Sequence, residues 1–221
     1  TDLPRAFPAS PRPRRAGHCM SEPFNPLDMT NLGLSITTAM LTSDPTPLSE
    51  VKAFSGAGIY AIYYRGDHPA YKVLSELNAE NHETPIYVGK AVPSGGRKGL
   101  VVATSGETKA LSARIREHAK SVERAENLDL AHFWCRWLVV EPIWIPLGES
   151  ILISRSAPVW NALVDGFGNH DPGKGRVNGV RSRWDTLHPG RPWAPKYPPR
   201  AETGDDIAAD VAEYLRARFP A

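Results

Sequence analysis

The chain has 221 residues, 26 Lys and Arg against 24 Asp and Glu, and 21 prolines concentrated toward its two ends. That length allows one sizeable core with extended arms instead of two equal cores, and no run of about 18 apolar residues is present to cross a membrane. Two cysteines, Cys19 and Cys135, are too few for a disulfide framework and lack zinc spacing, which points to a reducing, cytoplasmic setting.

Residues 1–26 hold Arg5, Arg12, Arg14 and Arg15 among prolines and lack an apolar signal core. They are expected as a disordered basic arm, with Met20 a possible true start. Residues 27–55 form an N-terminal helix and linker. Leu32, Ile36, Ala39 and Met40 have helical spacing across Leu27 to Leu41, with Asp28 or Thr30 as N-cap, and Ser43 to Leu48 is the linker. Residues 56–164 make the core. Ala57 to Tyr64 reads as a strand whose alternation separates Ile59, Ala61 and Tyr63 from Tyr60, Ile62 and Tyr64. Pro85 to Ala91 is a second strand, with a partly helical insertion between the two, and Pro93 to Thr108 is loop. Lys109 to Asn127 is a helix with Leu111, Ile115 and Val122 on one stripe. His118 lies about 20° and Arg114 about 60° from Leu111, so both flank that stripe. Ala131 to Val140 is a strand containing a buried Cys135, and Leu147 to Ser154 is a helix carrying Glu149. Val159 to Val164 is short and apolar, and Trp134, Trp137, Trp144 and Trp160 read as core aromatics. Residues 165–221 turn to glycine, proline, arginine and tryptophan, then close with a helix over Asp205 to Phe219, acidic at its start and basic at its end. Between Pro172 and Arg200 seven cations face Asp185 alone, an excess that suits either a polyanion or a solvated loop.

A phosphodiester is an anion, so its hydrolysis needs charge neutralised and a water aligned. Gly58-Ile59-Tyr60, then Tyr87-Val88-Gly89 beginning 27 positions after Tyr60, then Arg114, His118, Glu149 and Asn161, supply groups for both needs. Taken singly, each also has an ordinary reading: a first-turn glutamate, a charged helix edge, tyrosines packed in a sheet. The order and spacing of the whole set resemble the GIY-YIG nuclease family. Tyr87-Val88-Gly89-Lys90-Ala91-Val92-Pro93, the Arg114–His118 helix, Val164-Asp165-Gly166-Phe167-Gly168-Asn169-His170, Trp184-Asp185 and His188-Pro189-Gly190-Arg191 look like the small type II restriction endonucleases of that family that cut CCGCGG.

The resemblance implies an α+β fold, a small, mostly antiparallel three-stranded sheet flanked by helices with N- and C-terminal extensions. It implies Tyr60 and His118 handling the proton of the attacking water, Arg114 and Tyr87 on the scissile phosphate, Lys90 stabilising charge there, and Asn161 positioning backbone or substrate. Glu149 would be the one protein carboxylate on a single Mg²⁺, with Mn²⁺ as a substitute. Double-stranded DNA is the implied substrate, cut by a homodimer paired in function with a cognate DNA methyltransferase. Reading G·C pairs calls for forked arginines. Arg176, Arg181, Arg183 and Arg191, with Asn169, His170 and Lys174, are the candidates. A structure-specific repair or mobile-element nuclease, or a DNA-binding module without cleavage, are the alternative readings. Gly168 to Gly175 mimics a phosphate-binding loop but has Gly175 where Ser or Thr belongs.

Overall fold

Four antiparallel strands form one sheet: Thr46–Pro47 (β1), Gly58–Tyr64 (β2), Pro85–Ala91 (β3) and Phe133–Val139 (β4), in the order β1-β4-β2-β3. They are seen in a computed structural model that describes residues 25, 27–93, 108–169 and 179–220. The sheet thus has one strand more than the three expected. Two residues that include a proline carry no alternation, so β1 is invisible within what reads as a linker.

β2 is paired on both edges, and all seven of its residues are buried. Its alternation sorts side chains between two helical layers as expected. Ile59, Ala61 and Tyr63 pack with Met40 of Met29–Leu41 (α1) and with Ile145 and Leu152 of Ile145–Ser156 (α4). Tyr60, Ile62 and Tyr64 pack on the opposite layer, against Leu111, Ile115 and Val122 of Ala110–Glu123 (α3). Lys72–Leu77 (α2), Val159–Ala162 (α5), Arg183–Leu187 (α6) and Gly204–Arg218 (α7) complete the helices that position the site.

The helix ends follow their local chemistry. The Asp28 carboxylate caps α1 by accepting from the Thr30 amide, and Thr203 and Asp206 form a reciprocal capping box at α7. α4 begins two residues before the expected Leu147, because Pro146 sits in its first turn, where no amide is needed. From residue 165 onward the chain contributes Phe167, Trp184, Leu187, Ile207, Val211 and Leu215 to the core beneath β2. Trp160 is in that core, Trp137 packs at its margin and Trp134 at the margin of the opposite layer, but Trp144 is 46 % exposed in a short 3-10 turn and is corrected to a surface residue. Cys135 is a buried thiol whose pKa burial pushes up to about 12. Among the described residues no helix is long and apolar enough to cross a membrane. The basic arm with Cys19 and Met20, most of the 93–108 loop, and the phosphate-loop mimic beyond Asn169 lie outside the described residues.

Candidate active site

Tyr60 stands at the middle of β2, opposite Gly89 of β3. A Cβ built at Gly89 would lie 2.4 Å from the Tyr60 hydroxyl oxygen and 3.0 Å from Cε1 of Tyr87. The glycine of the second tripeptide is therefore the floor on which the two phenols lie, their rings 6.2 Å apart. Tyr60 has no exposed surface. Burial raises its pKa well above the ordinary phenol range, Tyr87 adds to the rise, and Arg114 opposes it.

α3 brings two groups to these phenols from one face. His118 is seven residues from Leu111, so it falls inside the buried stripe instead of flanking it, and it is 2 % exposed. Its Nε2 is 2.6 Å from the Tyr60 hydroxyl. The Tyr60 oxygen also interacts with the Arg114 guanidinium, which can only donate. The Tyr60 oxygen also bonds the Tyr87 hydroxyl, and a neutral His118 Nε2 is placed to accept the phenol hydrogen. Arg114 donates from Nη2 to the Gly168 carbonyl at 2.5 Å and from Nη1 to Glu117 at 3.2 Å. Phe167 stacks on the imidazole at 4.4 Å between centroids, a wall that the sequence reading did not pick out.

The carboxylate arrives on α4, from the other face of the sheet. Glu149 Oε2 is 2.6 Å from Lys90 Nζ, with the glutamate side chain 20 % exposed. Burial raises the Tyr87 pKa, the Arg114 guanidinium opposes the rise, and the nearby Glu149 adds to it. β3 is the lattice on which the two halves meet, with Tyr87 toward the phenols and Lys90 toward the acid. Asn161 holds that strand in place. Its Oδ1 accepts from the Val88 amide and its Nδ2 donates to the Val88 carbonyl, both at 2.8 Å. On an edge strand those groups would otherwise have no partner, so Asn161 positions backbone.

Arg191 is reassigned. It is wholly buried, donating to Asp185 at 2.5 Å and to the carbonyls of Gly166, Phe167 and Asn169, between the rings of Trp184 and Trp193. A guanidinium saturated in this way braces the Phe167–Gly168 turn against His118 and Arg114 and does not reach a base edge. Arg191→Ala leaves Asp185 buried without its cation and is expected to cost about 3–5 kcal/mol in urea unfolding. Arg116→Ala, on the exposed side of α3, should stay within about 0.5 kcal/mol.

Other expected DNA contacts are also engaged. Arg183 pairs with Asp210 and Glu202, and Arg200 with Glu202, so acids near and within α7 offset much of the basic tract. Arg181 donates to the Ala194 carbonyl, and Asn169 is half-buried beside Trp193. His170, Lys174 and Arg176 lie outside the described residues. The His188-Pro189-Gly190-Arg191 stretch is structural throughout. His188 bonds Tyr71 and Asn127, the Pro189 carbonyl accepts from Glu126, and Gly190 (φ +132°) lies so close to the Arg124 carbonyl that a Cβ would be 1.8 Å from it.

An antiparallel sheet with two phenols, an imidazole, a guanidinium and one acid gathered along β2 and β3 defines a nuclease of the GIY-YIG class. Residues 52–215 match the family described as the Eco29kI GIY-YIG domain, and the chain belongs to this family of restriction-type GIY-YIG endonucleases. Its activity class is that of a DNA endonuclease, a phosphodiester hydrolase acting on DNA. No curated protein matches it.

Proposed function

We propose that the protein is a type II restriction endonuclease that cuts both strands of a short G/C palindrome, CCGCGG, as a homodimer with one active site and one Mg²⁺ per strand. The observation that carries this reading is the 2.6 Å Tyr60–His118 pair set beside Arg114 and Tyr87. In that pair the phenol has a proton acceptor at hand. Tyr60 need not ionise beforehand: as its oxygen takes a proton from the attacking water, its own proton passes to His118 Nε2. Arg114 and Tyr87 face the scissile phosphate and fix it in line with that water.

The acid at this site suits a hard cation that keeps most of its water shell. It is a single partly exposed carboxylate, and among the described residues no three His, Cys, Asp or Glu side chains converge to form a closed cage. Magnesium bound at Glu149 would neutralise phosphate charge and polarise water, and manganese would substitute. Lys90, which pairs with Glu149, would supply a second cation for the phosphate charge. Base reading falls to Arg181 and Asn169 together with His170, Lys174 and Arg176, since Arg191 is buried and Arg183 is held by two carboxylates, whereas Arg181 gives only its Nε to a backbone carbonyl. A cognate methyltransferase would protect the same sequence.

Plasmid digestion with Mg²⁺ tests the reading. Discrete fragments from unmodified DNA, and none when CCGCGG is methylated, are expected. A random smear, or no cleavage with any divalent ion, would remove it.

A further inference from the structure

Beside the reacting groups, bordered by Arg114 and His118, lies a cavity of about 170 Å³. Arg114, Glu117, His118, Lys120 and Ser121 of α3, with Arg124 at its C-cap, form one wall, and Phe167, Asn169 and Trp193 form the other. The residues at 114, 117, 121 and 124 recur every three or four positions, so this wall is a single stripe of the helix. Three cations face the space against one carboxylate, Glu117, and that carboxylate already accepts from Arg114. Lys120 and Arg124 are exposed, and the proton relay and the acid do not use them. The opposite wall is held before any ligand arrives, because Arg191 pins the carbonyls of Phe167 and Asn169 and stacks under Trp193.

We infer that this cavity seats the phosphate next to the scissile one on the cut strand, with Lys120 and Arg124 as its cations. The inference rests on the nuclease reading above and adds to it the path of the strand. Arg114 lines the cavity and also reaches Tyr60, so an anion in the cavity and the phosphate under attack share one guanidinium. Two phosphates that share a cation are most simply neighbours on one chain. The strand therefore leaves the reaction centre along α3 toward its C-terminal end.

The test is titration of a duplex containing CCGCGG, without divalent ions, over a range of salt concentrations. Removing one cation that neutralises a phosphate makes the slope of log K against log[salt] shallower by about 0.9. The Lys120→Ala/Arg124→Ala double variant should therefore bind more weakly, with a slope shallower by about 0.9 because one phosphate loses both cations, while Arg116→Ala keeps the wild-type slope. At saturating DNA the single-turnover cutting rate of the double variant should stay within a few-fold of wild type. A neutral methylphosphonate at the adjacent position should weaken the wild type and leave the double variant unaffected. Wild-type slope and undiminished methylphosphonate sensitivity in the double variant would overturn the assignment. A wild-type protein that neither binds nor cuts any duplex would remove the nuclease reading, and this inference with it.

Discussion

Glu149→Ala is expected to bind duplex DNA at least as tightly as the wild type and to cut it at least about a thousandfold more slowly. The carboxylate lies near Tyr87 and is held against Lys90 at 2.6 Å. Next to a phosphodiester it repels the substrate unless a cation lies between them, so its removal relieves a repulsion on binding. Cutting loses the only protein ligand proposed for that cation. Gel-shift titration and single-turnover cleavage with Mg²⁺ separate the two effects. A variant that cuts within tenfold of wild type would show that Glu149 is an ordinary helix glutamate of α4 with no part in cutting.

Much of this site was legible because it depends on local pattern. The alternation in Gly58–Tyr64 placed Tyr60 on the correct face, Pro85–Ala91 has the boundaries expected from its sequence, and a helical spacing of four joins Arg114 to His118. The remainder depends on contacts between distant parts of the chain. Nothing near Arg191 marks it as buried, because its partners are Asp185 and three carbonyls of a turn more than twenty residues earlier. In the sequence it looks like one more member of a basic tract. Phe167 is likewise an apolar residue among glycines until the fold lays it on His118. Asn161 showed its polarity but not its target, since the exposed edge of β3 exists only once the sheet has formed.

Tyr60→Phe is the other large effect. Phenylalanine fills the same buried space. Stability falls by about 1–3 kcal/mol, because His118 Nε2 loses its partner. The cutting rate falls by about a hundredfold to ten-thousandfold, the range for losing a positioned proton acceptor. The pH dependence separates a relay from a preformed phenolate. Burial holds the Tyr60 phenol protonated beyond its ordinary value of about 10. A base that had to ionise first would make the rate climb about tenfold per pH unit throughout the working range. With His118 taking the phenol proton as the water is deprotonated, the rate instead levels off well below that value.

The most direct measurement is single-turnover cleavage of a CCGCGG duplex with Mg²⁺ across pH, wild type beside Tyr60→Phe. A wild-type profile with a plateau is expected, with the variant at least about a hundredfold below it at every pH. A variant that cuts as fast as wild type would contradict this.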